Sequence, residues 1–309
     1  MLQETAVSPS SRGLLALGLA AAIWGGMYVG SDALMRTVPP LVVLELREGI
    51  SAVILLPIAA RAGKLRVARR DWPRILAIGV VGFTISIGFQ LYGTHLAGAA
   101  LGSLVTASSP VLIALLGAAY LKESVPRQRW AAIGLAFAGV VIVVGTPAGG
   151  PGTVTGVILL LLAAGAWALY TVGSASLGSR YDAITVVSLA CGVGAITTLP
   201  LALYAGLSSP HSLPTTWMGW SEVAYISVFG MAMAFFLWVW GFRRVTASRG
   251  GVMLLCQPLV GILLGVILLG ERISIGTMVG ALLISVGVML ALREPRSSGT
   301  AQDSHEMFA

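Results

Sequence analysis

Three charged side chains, Glu45, Arg47 and Glu48, interrupt an otherwise apolar run at residues 41–60. Ionisable groups are costly in hydrocarbon and usually face a cavity, a partner or water. Glu45 and Glu48 lie three apart on one helix face. Two neighbouring carboxylates could load and release a proton in exchange for a solute. Alternatively, Arg47 pairs with a carboxylate as an outer gate, or the group is an interfacial charge cluster reaching water. Asp32 and Arg36, four apart, suit a surface pair. The second constellation is aromatic. Trp24 with Tyr28, and Trp167 with Tyr170, are spaced to share a helix face, and Ser31 and Ser174 follow about one turn on. A wall of Trp and Tyr suits a flat apolar or aromatic solute, or an organic cation held against π faces; ordinary helix packing is the plainer alternative. The third is proline: Pro110 and Pro258 sit mid-run, and each frees the carbonyl four residues earlier, on Thr106 and Leu254. Ser108, Ser109 and Gln257 are placed to satisfy such groups or to touch a ligand. These kinks are expected either to act as hinges or to serve packing alone.

The elements that position these residues follow from composition. The chain has 309 residues, 57% hydrophobic and 10% charged, with a mean hydropathy of +0.91. A soluble domain would carry about 25% charged residues. Ten apolar runs stand near 14–35, 41–60, 74–93, 98–121, 128–145, 154–177, 184–206, 219–240, 248–269 and 274–292. At ~1.5 Å rise per residue, about 20 residues match a hydrocarbon core of ~30 Å. Lipid offers the backbone no partners, so each run is expected to be an α-helix.

The runs repeat. Pro110 and Glu123 recur as Pro258 and Glu271, 148 residues on, and the same offset maps Gly82 onto Gly230 and Gly139 onto Gly287. Earlier the offset is 143, taking Pro57 to Pro200, and the extra residues fall in Leu207–Thr216. Each half has five runs, and an odd number turns the second copy upside down. The expected fold is therefore an all-α membrane protein, ten transmembrane helices formed by two inverted five-helix repeats, an arrangement suited to rocking around a central site. The expected parts are an N-terminal tail (1–12), a first repeat (13–145), a linker (146–153), a second repeat (154–292) and a disordered tail (293–309).

All but three of the 19 Lys and Arg fall on one side of this topology, the exceptions being Arg36, Arg47 and Arg272. The positive-inside rule then makes both termini cytoplasmic, in a multi-pass protein of the cell (inner) membrane. The basic pI of about 9.9 reflects that topology, so nucleic acid is not implied. Trp217 and Trp220 would sit at the outer interface, Trp72 and Trp130 at the inner one. Glu123 and Glu271 are expected to satisfy helix-end amides; Glu222 and His211 belong to outer-loop solvation. Cys191 and Cys256 both lie inside apolar runs and form no disulfide framework. No H-E-x-x-H, G-x-S-x-G or Cys/His cluster occurs, so the reading is no enzyme, no cofactor and no metal.

The segments SSPVLIALLGAAYLKESVPRQRWAAIGLAFAGVVIVV and CQPLVGILLGVILLGERISIGTMVGALLISVGVML each join a mid-helix Pro, an L-x-E and a Gly-rich last helix. They resemble the end of the EamA domain of the drug/metabolite transporter superfamily, and ELREGISAVILLP resembles that family's second helix, whose early Arg matches Arg47. The likeness covers nearly all of 14–292, twice. It implies an exporter of amino acids, related metabolites or drug-like solutes. The inverted repeats add alternating access, the Trp and Tyr pairs add aromatic amino acids among the candidate cargoes, and both a monomer and a homodimer stay open. A sugar-phosphate or nucleotide-sugar exchanger shares the architecture, but would place several Lys or Arg at mid-membrane to hold phosphate. Here Arg47 alone among the Lys and Arg lies away from the end of a run.

Overall fold

The computed structural model describes residues 9–121, 127–144, 152–178, 180–210, 212–242, 244 and 252–292, and is helical with no strand among them. The first half comprises α1 (Pro9–Met35), α2 (Pro40–Arg61), α3 (Trp72–Gly79), α4 (Gly88–Ala97), α5 (Ala99–Thr106), α6 (Ser109–Leu121) and α7 (Arg127–Val144). The second comprises α8 (Thr153–Gly178), α9 (Ala183–Leu207), α10 (Trp217–Ala224), α11 (Ala234–Phe242), α12 (Cys256–Leu269) and α13 (Ile275–Leu292). Helix thus falls in each of the ten apolar segments. Five stretches are long and apolar enough to cross a membrane by themselves: Ser11–Met35, Arg69–Ala97, Thr153–Ser174, Ala183–Leu207 and Trp217–Trp238. The shorter apolar helices Ala99–Ile113, Trp130–Val143, Met253–Leu269 and Ile275–Leu290 run to at most 17 residues, and α2 carries the charged group. Glu123, His211, residues 1–8 of the expected N-terminal tail and the tail 293–309 lie outside the described residues, whereas residues 9–12 form the start of α1.

Two irregularities recur at matched places. A π-helical stretch, Val80–Ile87, joins α3 to α4, and a second, Tyr225–Met233, joins α10 to α11. Each contains one glycine of the pair Gly82 and Gly230. A Cβ on Gly82 would stand 2.5 Å from the Tyr170 ring on α8, and one on Gly230 2.7 Å from Met27 Sδ on α1. Met27 and Tyr170 are themselves 143 apart, so the contact in one half has its mirror in the other. Widened helices are common at functional sites. The segment expected at 98–121 is broken at Ala107–Ser108, just ahead of Pro110, and α12 is entered through a 3-10 turn, Met253–Leu255, just ahead of Pro258. Ser109 Oγ donates to the Thr106 carbonyl at 2.5 Å, taking the acceptor that proline leaves without its amide.

The halves interlock. Packing of α1 on α11 and α12 matches that of α8 on α4 and α6. Helices α7 and α13 run antiparallel, with Gly139 against the Gly280 backbone and Gly287 against Ala132. Helices α2 and α9 also cross antiparallel, Glu48 meeting Gly194 and Leu55 meeting Ser188. Interfaces of this kind depend on small residues that let backbones approach. The exterior is apolar: Phe137, Tyr204, Leu282 and Trp217 are all well exposed.

Candidate functional site

A cavity of about 600 Å³ lies where α1, α2, α4, α6, α8, α11 and α12 converge. Its wall is aromatic. Trp24 packs edge-on to Phe235 with centroids 5.4 Å apart, and Phe235 reaches Trp167 at 6.3 Å. Trp167 continues to Tyr170 at 4.9 Å, while Trp238 closes on Trp24 at 5.0 Å. Trp24 is fixed by its indole N–H, which donates to the Gly230 carbonyl at 2.9 Å. That carbonyl belongs to the π-helical stretch, so the local widening supplies an acceptor that directs the ring.

The floor is polar. The Tyr28 and Thr106 hydroxyls share a hydrogen bond of 2.5 Å, and Gln257 Nε2 donates to Thr106 Oγ1 and to the Ser103 carbonyl, each at 3.3 Å. These bonds tie α5 to α1 and α12. Beyond them Glu271 clasps the start of α5: its carboxylate accepts the amides of Ala99 at 2.6 Å and Ala100 at 2.9 Å. Gly98 makes this possible in two ways. Its φ of 90° is a backbone conformation side chains resist, and a Cβ there would lie 2.8 Å from Glu271 Oε1. Two charge-assisted bonds at a helix N-terminus, where free amides and the helix dipole both favour an anion, make the clasp strong.

Arg47 is 3% exposed, lines the cavity, and is the one charged side chain among its lining residues. Among the described residues it forms no ion pair with a carboxylate. Its Nε and Nη1 have no acceptor, and Nη2 meets only the Met231 thioether at 3.8 Å. Glu48 is fully buried but faces the other way, towards α9, with Oε2 3.5 Å from Thr198 Oγ1 and Oε1 without a partner. Glu45 is half-buried, its Oε2 likewise unpartnered. Neither carboxylate lines the cavity. Asp32 and Arg36 do form their i,i+4 pair, at 3.6 Å.

Of the residues singled out from spacing, Trp24, Tyr28, Trp167, Tyr170, Ser174, Gln257, Arg47 and Pro110 line one cavity. Ser31 and Pro258 are buried but stand outside its lining. Ser31 follows Tyr28 by about a turn and so lies beyond the floor, whereas its mate Ser174 lies on the cavity side. Sequence reasoning passed over Phe235 and Trp238, whose mates under the 148 offset are Ile87 and Gln90, also lining residues. It also passed over Met27, the mate of Tyr170. The 143 offset carried from Tyr170 points to Met27, whereas Phe235 and Trp238 have no aromatic mates and are revealed by their packing against Trp24. Away from the cavity, Lys64 pairs with Asp182, and Asp71 accepts from Arg180 at 2.9 Å and the Tyr181 hydroxyl at 2.7 Å. These contacts bind the link after α2 to the link before α9.

Both halves match the model of the EamA-like transporter family, over residues 11–145 and 154–293. An uncharacterized transporter of Archaeoglobus fulgidus is 28% identical over 280 residues, 91% of this chain and 98% of that protein. The uncharacterized transporter YvbV of Bacillus subtilis is also 28% identical, covering 95% of each chain. A solved crystal structure with 22% identity superposes with a TM-score of 0.63, covering 90% of this chain and 96% of that one, a likeness of fold. Apolar helices long enough to cross a bilayer, and a family match across both halves, make this a multi-pass membrane protein that belongs to the EamA-like transporter family.

Proposed function

We propose that the chain is a secondary transporter of the inner membrane that exports a small organic solute by alternating access, with the central cavity as its substrate site. The observation that carries this is the cavity's make-up: Trp24 and Trp167, Met27 and Tyr170, Ile87 and Phe235 line it as pairs of mates, one from each half. The antiparallel crossings of α2 with α9 and α7 with α13 support two inverted five-helix repeats and hence ten spans, and the one-sided placement of Lys and Arg supports both termini being cytoplasmic. A volume of about 600 Å³ lies within the range typical of small-molecule pockets, ~300–1,000 Å³. The aromatic wall favours a flat apolar body such as that of an aromatic amino acid or a drug-like solute. A sugar-phosphate type cargo is disfavoured, because a single guanidinium lines the cavity.

In this reading the Tyr28–Thr106–Gln257 floor and the Glu271 clasp hold one end shut, and the breaks at Pro110 and Pro258 are the hinges that let α5 and α12 move. Glu48, buried behind Arg47 with a free carboxylate oxygen, is the group best placed to couple transport to a proton. The test is counterflow in proteoliposomes loaded with candidate aromatic solutes. Saturable exchange lost in Trp24→Ala and Trp167→Ala is expected; exchange indifferent to both substitutions would remove the cavity from the pathway.

A further inference from the structure

The cavity joins an apolar aromatic wall to one unsatisfied cation, and the chemistry of that cation narrows the cargo. A guanidinium carries five N–H donors and keeps its charge under all ordinary conditions. In Arg47 the single N–H of Nε and both of Nη1 lack an acceptor, and the remaining contact is to a thioether, a weak acceptor. Buried donors are almost always satisfied, and a buried charge without a partner is costly. The neighbouring carboxylate does not resolve this, because Glu48 turns towards Thr198 and Gly194 on α9. No acidic side chain lines the cavity, so a cationic solute would find there a like charge and no counter-charge. The repeat sharpens the argument. Under the 143 offset the mate of Arg47 is Ala190, so the second half supplies no equivalent cation. One cation suits one negative group, held in one orientation.

We infer that Arg47 is the anion-binding residue of the cavity and that its ligand is an aromatic monocarboxylate, the carboxylate on the guanidinium and the ring among Trp24, Trp167 and Phe235. This rests on the cavity being the substrate site and goes further, in specifying the charge of the cargo. The planar fork of arginine matches a carboxylate geometrically, and hydrogen bonds to ionised partners are the strong ones. Organic cations and neutral aromatics are correspondingly poor ligands.

The test uses three probes of one shape, 3-phenylpropionate, 3-phenylpropionamide and 3-phenylpropylamine, with the full chain purified in detergent and affinity read by calorimetry and ligand-dependent melting. Wild type should bind the carboxylate about tenfold or more tighter than the amide, with the amine weakest. Arg47→Gln should bring the carboxylate-to-amide ratio close to one, and Arg47→Lys should restore part of it. Trp167→Ala should weaken the carboxylate and the amide together and leave their ratio in place. Because wild type alone reports the preference, the outcome does not depend on how well Arg47→Gln folds. Equal binding of carboxylate and amide by wild type overturns the charge assignment while leaving the cavity as the site. Binding of none of the three overturns the charge assignment, and binding that ignores both Arg47→Gln and Trp167→Ala overturns the cavity as well.

Discussion

Glu271→Gln should loosen the closed end of the cavity, by an amount that can be worked out from its two contacts. The carboxylate accepts the amides of Ala99 and Ala100, at 2.6 and 2.9 Å. Hydrogen bonds to a charged group are worth ~1.5–3 kcal/mol each. Glutamine keeps one acceptor oxygen, loses the charge and points an NH2 at an amide, so one bond is lost and the other weakened. When α5 lifts away the freed amides reach water, which returns part of the loss. A net cost of about 1–2 kcal/mol to the closed arrangement follows, or a rise of roughly 5- to 30-fold in the open population. Ser103 reports this well, being fully buried on α5 against Gly261. With Cys191 and Cys256 replaced by Ala, a cysteine at Ser103 should react with a thiol reagent about 5- to 30-fold faster in the Glu271→Gln background than with Glu271 intact. Glu271→Ala should accelerate it at least as much. Reaction rates unchanged in both variants would refute the clasp as an element that holds α5 down.

The π-helical glycines give a ranked prediction. A methyl at Gly82 meets the rigid Tyr170 ring at 2.5 Å, whereas at Gly230 it meets the end of the flexible Met27 side chain at 2.7 Å. Gly82→Ala should therefore cost about 1–3 kcal/mol by overpacking and Gly230→Ala less; melting in detergent with the reverse ranking contradicts this packing. Ser109→Ala should cost about 1–3 kcal/mol, because the Thr106 carbonyl loses its donor. In a Pro110→Ala background the restored amide of residue 110 can donate to Thr106, so the same substitution should cost much less, and a purely additive double-mutant cycle counts against that account. Asp71→Asn should change the melting temperature little, because Arg180 is half-exposed and the asparagine oxygen can still accept from the Tyr181 hydroxyl; a clear drop in melting temperature would contradict that. For coupling, Glu48→Gln should flatten the response of solute flux to an imposed pH gradient, and a response of wild-type size in both Glu48→Gln and Glu45→Gln sinks proton exchange through these groups.

Much of this architecture can be read from residue order, because bilayer crossing forces long apolar helices and duplication leaves constant offsets. Trp24 and Trp167, 143 residues apart, announce a shared wall before any coordinates are considered. What spacing could not reveal is which way a side chain turns. Arg47 and Glu48 are adjacent in sequence, and a helix sends adjacent residues about 100° apart, one into the cavity and one towards α9. Pairing of Arg47 with a carboxylate is one of three readings the spacing allows, and among the described residues no such ion pair forms. Ser31 and Ser174 are equivalent in sequence, yet Ser174 lines the cavity and Ser31 is buried outside it, a difference that spacing does not carry. The π-helical stretches have no sequence signature beyond a glycine: the 148 offset pairs Gly82 with Gly230 as it pairs Gly139 with Gly287, and packing against Tyr170 and Met27 is what sets the first pair apart.

The central claim is that two oppositely oriented halves enclose one cavity, and the links after matched helices report it most directly. Single cysteines at Arg66 and Ser212, in a background with Cys191 and Cys256 replaced, can be labelled with a membrane-impermeant reagent in intact cells and in inverted vesicles. The account predicts that residue 212 reacts from outside the cell and residue 66 only from the cytoplasmic face. Labelling of both from the same side would contradict it.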